Sequence, residues 1–394
     1  MTVRSAGTRG GSAMGRVYAD YAASAPLRPC ARAALAAALD AGAGNPSSAH
    51  QEGARARRIL ETAREQLAAV LGAHPLEIVF TSGATEANNL ALSGTAAARP
   101  RPCHLGVAAT EHSSVLGPAR ALAADGHRLS VIPVASDGAV DRAAIEAARP
   151  TLLAVALVNA ETGVVQDVAA LAAAARVSGA MVHVDAAQAP GVLPVAVAAL
   201  GADLLTLSSP KLGGPPGAGA LYVRRGTPLA ALLRGGPQEG GLRAGTENVP
   251  AIAAFAAAAA EAVRERPGEA RRLAALAARL REGIVQRWPE TRVNGAGAAR
   301  APHILSVGFP GLSGESLVAA LDLEGIAVSA GSACAAGASE PSHVLVAMGQ
   351  SAGQASSALR ISLGWASTAA DVDTILTRLP PVLERARARA REAA

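Results

Sequence analysis

The chain has 394 residues, half of them apolar, 2% aromatic, with a formal net charge of +5. That length supports two domains with large aliphatic cores. No uninterrupted apolar run reaches about 18 residues, so a membrane-spanning helix is not expected. Arginines are scattered instead of forming a stripe, so no direct nucleic-acid surface is expected either.

The N-terminal "MTVRSAGTRGGSAMG" has no apolar core and reads as a disordered leader over 1–16. Apolar runs follow at 78–83, 104–110, 128–134, 151–158, 181–186, 204–209 and 219–225. Helical stretches separate several of them, at 113–125, 141–148 and 167–178. Short strands alternating with helices predict an α/β fold with a mainly parallel sheet covered on both faces. Beyond about residue 250 a long helical segment is expected, interrupted at "RPGE" (266–269). Segments at 303–309, 314–324, 326–330 and 359–364 then predict a smaller α+β domain. The tail "ERARARAREAA" (384–394) reads as a solvated helix end.

Polar residues gather where strands end: "TSGATEANN", "ATEHSS", "VNAETG", "DAAQ" and "SSPKLGG". The carboxyl ends of parallel strands share one edge, where ligands bind. Lys211 in the last stretch is the only lysine; the other 35 of the 36 basic residues are arginine. An amine that can lose its proton does chemistry that a guanidinium cannot. The three cysteines, Cys30, Cys103 and Cys334, are too few and too widely spaced for a disulfide framework or a zinc site. No metal is expected, and the compartment reads as cytoplasmic.

Several longer stretches carry a resemblance. "YADYAASAPLRP", "GNPSSAHQEG", "FTSGATEANNLA", "TEHSSVL", "HVDAAQAPG", "KLGGPPGAGALYVRR", "GGLRAGTEN", "SAGSACAAG" and "PSHVLVAMG" occur in this order. Together, over about residues 17–379, they resemble the cysteine desulfurases, pyridoxal-phosphate enzymes of the class V aminotransferase group. The resemblance implies the aspartate-aminotransferase-like fold (PLP fold type I), with a mainly parallel seven-stranded sheet. It places a large cofactor-binding domain at 27–262 and a small domain at 17–26 and 263–394. It also implies a homodimer with active sites at the subunit interface.

By the same resemblance Lys211 is the Schiff-base lysine and base, and His112 stacks on the cofactor and moves protons. Asp185 pairs with the pyridine nitrogen, and Gln188 with the ring hydroxyl. Ala84, Thr85 and Ser208 bind the phosphate, as does Thr246 of the other subunit. Arg360 clamps the substrate carboxylate, with Asn159 beside it. Cys334, in a mobile loop at 329–342, becomes a persulfide and passes sulfur to a protein acceptor. The implied reaction converts L-cysteine to L-alanine. Selenocysteine lyase chemistry, another β-elimination, or a weakly active scaffold remain open readings. Three positions depart from the family's pattern: Ala160 stands where a second asparagine is usual, Pro210 where a histidine precedes the lysine, and Gly240 where an arginine follows Gln-Glu.

Overall fold

The computed structural model describes residues 15–99, 102–331 and 340–392. It opens with a short strand, β1 (Val17–Tyr18). The next seven strands are β2 (Ile78–Thr81), β3 (His104–Ala108), β4 (Arg128–Ile132), β5 (Leu152–Ala156), β6 (Met181–Asp185), β7 (Leu204–Ser208) and β8 (Gly219–Val223). They form one sheet in the order β2-β8-β7-β6-β5-β3-β4. Strands β4, β3, β5, β6 and β7 run parallel, while β8 is antiparallel to both β7 and β2.

Alternation along each strand builds two cores. Leu153, Val155, Val182, Val184, Leu205 and Leu207 face one side, while Leu152, Ala154, Met181 and Leu204 face the other. A buried central strand needs apolar residues in both registers, which is why these segments read as nearly continuous apolar runs. β4 lies at the sheet edge and is partly exposed.

The remaining strands are β9 (Arg292–Val293), β10 (Ile304–Gly308), β11 (Ile326–Ala327), β12 (Ser329–Ala330) and β13 (Ala358–Ser362). β12, β13, β10 and β9 form an antiparallel sheet, and β1 pairs with β11. A separate apolar core underlies them, joining Val17, Ala19, Leu280, Phe309, Ile361 and Leu379.

The expected break at "RPGE" does not occur. One helix runs over Val249–Arg287 with Pro267 inside it. Proline removes one intrahelical hydrogen bond, but tertiary packing on both sides of it outweighs that loss. Ile252, Phe255 and Ala259 are anchored in the large core, and Leu273, Leu276 and Leu280 in the small one. The C-terminal helix covers Ala369–Glu392. Its end is solvated as expected, with Arg385, Arg389 and Arg391 exposed, while Arg387 lies over the Trp288 ring at 4.2 Å and Arg385 pairs with Glu324 at 2.6 Å.

Candidate active site at the carboxyl edge of the sheet

Asp185 is the last residue of β6 and is nearly buried. Its Oδ1 accepts from the Ala187 N–H at 3.0 Å, and its Oδ2 accepts from Asn88 Nδ2 at 2.9 Å. Two donors on one carboxylate fix its orientation. Asn88 is fully buried, and the same Nδ2 also donates to Ser114 Oγ at 2.8 Å.

Lys211 follows β7 at the end of a short 3-10 turn, Ser209–Lys211. Its Nζ donates to the Ala23 carbonyl. Gln188 Nε2 donates to the Ala22 carbonyl at 2.8 Å, and the Ala25 N–H donates to the Pro210 carbonyl at 2.8 Å. The segment 22–25 is thereby laced to the site. Pro210 lacks a donor, but its carbonyl serves in that lacing.

His112 follows β3 and caps the helix Ser113–Ala124. Its Nδ1 accepts from the Ser114 N–H at 3.1 Å and lies 2.7 Å from Ser114 Oγ. His112 is exposed at the surface of this edge. Protein packed around the ring lowers its pKa; Asp185 opposes that, and Lys211 and His343 reinforce it. His112 thus stands within electrostatic reach of both Asp185 and Lys211.

A buried acid and a buried histidine lie beneath. Glu111 accepts from the Ala156 N–H at 2.6 Å, and its Oε2 is buried without a partner. Burial, with the charge of Asp185 second, pushes Glu111 up to about 8, so it is mostly neutral at pH 7. His183 is buried behind Asp185, 3.0 Å from Thr206 Oγ1, and burial pushes it down to about 4. It is a structural histidine.

Ala84 and Thr85 open the helix Ala84–Asn89, so their N–H groups have no intrahelical acceptor. Ser208 pairs in register with Gly219, and a Cβ at Gly219 would lie 2.6 Å from the Gly83 backbone. The absent side chain lets β8 press against the helix start, so Ser208 and that helix start share one cup. The Ser208 hydroxyl does not cap the turn it begins. Thr246 is exposed and lines a cavity of about 220 Å³ with Thr81, Ser82, Gly217 and Arg243.

Arg360, on β13, is buried. Its Nη2 donates to Asp20 Oδ1 at 2.8 Å and its Nη1 to the Ala160 carbonyl at 3.0 Å, leaving Nε without a partner. Asn159 Oδ1 accepts from the N–H groups of Glu161 and Thr162, at 3.0 and 2.8 Å, and from Thr162 Oγ1 at 3.0 Å. Its Nδ2 donates to the Thr110 carbonyl at 3.0 Å. These bonds hold Asn159 Oδ1 to its own turn and one Nδ2 hydrogen to Thr110, as short amide side chains often bond nearby backbone, and leave the second Nδ2 hydrogen for a substrate.

Gly240 lies between Glu239 and Gly241, all three with positive φ, at 64°, 50° and 80° respectively. Glycine adopts that backbone without strain. Glu239 is held there by Arg64, with both Nη–Oε distances 2.8 Å, and by the Phe80 N–H at 2.8 Å.

Cys334 lies outside the described residues, as does most of the segment 329–342. Of the other cysteines, Cys30 is pushed up to about 11 by burial and by its bond to Glu261, and Cys103 is buried 3.2 Å from Thr151 Oγ1. A raised thiol pKa makes a poor nucleophile at neutral pH. Asn88, Ser114, Glu111 and Asp20 were not singled out by sequence reasoning. All four lie inside quoted motifs, but nothing local shows which of them meet. Among the described residues no cluster could hold a metal ion, and no helix is long and apolar enough to cross a membrane.

The aminotransferase class-V family model matches residues 17–375. A cysteine desulfurase of Cereibacter sphaeroides is 41% identical, over 95% of this chain and 97% of its own length. Cysteine desulfurase 2 of Trichormus variabilis is 38% identical, over 95% of each chain. The solved structure of a NifS-like protein superposes with a TM-score of 0.87 at 33% identity, covering 94% of this chain and all of its own. The chain belongs to the class-V aminotransferases and, within them, to the cysteine desulfurase family.

Proposed function

We propose that this protein is a pyridoxal-phosphate-dependent cysteine desulfurase whose chemistry rests on Lys211, His112, Asp185 and Cys334. The observation that carries the reading is the convergence of His112 with Asp185 and the sole lysine at one sheet edge. The donor set suits the cofactor: a doubly held carboxylate for a protonated ring nitrogen, one amine for an aldehyde, and, where Gly219 lacks a side chain, a cup at a helix start for a phosphate. In this reading Asp185 and Gln188 orient the ring, Ala84, Thr85 and Ser208 hold the phosphate, and Thr246 of a partner subunit completes the cup. When bound, the cofactor supplies an electron sink for charge built up at the substrate Cα.

Lys211 Nζ takes the Cα proton of L-cysteine, for which its amine must be neutral. The free hydrogen-bonding edge of Arg360 receives the substrate carboxylate. The Cys334 thiolate attacks the substrate sulfur. The carbon–sulfur bond breaks, a sulfur–sulfur bond forms, and the products are L-alanine and a Cys334 persulfide. A protein acceptor then takes the outer sulfur. Ala160 brings no side-chain donor near the ring, so efficiency is expected to fall below that of an asparagine-bearing site. Exposed Leu232 and Leu233, the latter's carbonyl accepting from the Ala244 N–H at 3.2 Å in the segment that leads to Thr246, support a homodimer. The free thiols of Cys30 and Cys103 suit the cytoplasm.

The test is incubation with L-cysteine, then alkylation of protein sulfur and quantification of products. Alanine with a persulfide mapped to Cys334 supports the proposal. Pyruvate without a persulfide would assign the site to β-elimination instead.

A further inference from the structure

His112 is held from behind by groups whose hydrogen-bonding roles have only one solution. The Ser114 backbone N–H can only donate, and it donates to Nδ1 at 3.1 Å. Asn88 Nδ2 can only donate as well. One of its hydrogens goes to the Asp185 carboxylate at 2.9 Å and the other to Ser114 Oγ at 2.8 Å. The Ser114 hydroxyl accepts there, and because the backbone N–H already makes Nδ1 an acceptor, the hydroxyl hydrogen is the one that faces His112 Nδ1, 2.7 Å away. A neutral imidazole has one N–H and one bare nitrogen.

The geometry points to Ser114 as a positioning residue for His112: through hydroxyl and amide together it keeps Nδ1 an acceptor, so the neutral ring carries its hydrogen on Nε2. Asn88 ties that hold to Asp185, so the cofactor-facing acid and the histidine sit on one hydrogen-bond chain. This goes beyond the proposed reaction and rests on it only for the assumption that His112 serves the chemistry.

Protonating Nδ1 would turn it toward an N–H that already points at it. The surroundings agree in sign. Packing lowers the pKa of His112, Asp185 alone raises it, and Lys211 and His343 lower it further. His343 is itself 2.9 Å from the Glu111 carbonyl oxygen, and the Glu111 carboxyl is mostly neutral at pH 7. His112 therefore rests as a neutral ring that donates through Nε2 and offers no lone pair there. Removal of the Cα proton then falls to Lys211.

The test is multiple-bond 1H–15N correlation on holoenzyme labelled with [15N]histidine, from pH 6 to 8, with His112→Gln identifying the signal. The expected result is an Nε2–H tautomer throughout. An Nδ1–H pattern, or an imidazolium at pH 7, overturns the inference. In Ser114→Ala a mixture of tautomers is expected. The acid limb of kcat/KM should move up by about 0.5–1 pH unit, the equivalent of one neutral hydrogen bond. Ser114→Thr should restore both. If Ser114→Ala only lowers the melting temperature, the residue is mere packing and the inference fails. Should Ser114→Ala not fold, the wild-type spectrum still decides. An Nε2–H tautomer in a protein that forms no alanine would sink the functional reading and leave this inference standing.

Discussion

Arg360 and Asp20, 340 residues apart in the chain, form an ion pair with Nη2 2.8 Å from Oδ1. The guanidinium expected to clamp a substrate carboxylate thus already holds one, and the Ala160 carbonyl takes a second donor. Only a planar fork with five hydrogens can keep both and still accept a third partner. Arg360→Lys must give up at least one. A charge-assisted hydrogen bond is worth about 1.5–3 kcal/mol, so KM for L-cysteine should rise roughly 10- to 100-fold. Steady-state kinetics with kcat reported separately checks this; an unchanged KM would remove Arg360 from substrate binding.

Lys211→Arg should abolish covalent retention of the cofactor and reduce alanine formation to background. No other lysine exists to take over. The visible absorbance of the purified variant and intact-protein mass after borohydride reduction give the answer. A cofactor adduct in the variant would place the attachment elsewhere.

Gly219→Ala should weaken the cofactor site more than the fold. The added Cβ would sit 2.6 Å from the Gly83 backbone, so strand and helix start must separate. Overpacking of this kind costs about 1–3 kcal/mol. Cofactor should dissociate on desalting where the wild type keeps it, with the melting temperature several degrees lower. Equal retention would show that the close approach does not shape the cup.

Glu111 should contribute a fall in stability as pH rises from about 4.3 to 8, opposed below about 6.5 by the buried His183 and His303, both pushed down to about 4. Burial first, and Asp185 second, raise its folded pKa to about 8, above the usual value near 4.3. The folded chain therefore keeps a proton that the unfolded chain has released across that window. The contribution is complete below about 4.3 and is lost as pH rises through 8. Glutamine can still accept from the Ala156 N–H but has no proton to lose. Glu111→Gln should make the slope of stability against pH more positive by roughly 1.4 kcal/mol per pH unit within the window. Glu161, raised to about 7 by burial, leaves a residual slope in the variant. Urea unfolding at pH 5 and pH 8 provides the comparison; an identical slope in both proteins would show that Glu111 is already ionised when folded.

Much of the fold was legible because local signals agreed with the tertiary result. All seven apolar runs of the first 225 residues became strands of one sheet. Their order, and the antiparallel β8, were not legible, since period-two patterning does not say which strands are neighbours. The helix through Pro267 was misread for a related reason. Local propensity argues for a break there, and only the two cores at its ends hold it together.

The sequence by itself determined which groups can do chemistry. One lysine can supply a neutral amine, strand-end acids and a histidine can hold charge and protons, and ordered motifs carry the family. Those are properties of residue type and short-range spacing. Tertiary structure alone decided how the groups are tuned. Asn88 and Asp185 are 97 residues apart, yet Asn88 joins Asp185 to the Ser114–His112 cap. Asp20 meets Arg360, and Asn159 turns inward to its own loop. Hydrogen bonds and desolvation act over a few ångströms of space, and it is the packing of the sheet edge that sets which residues share those ångströms.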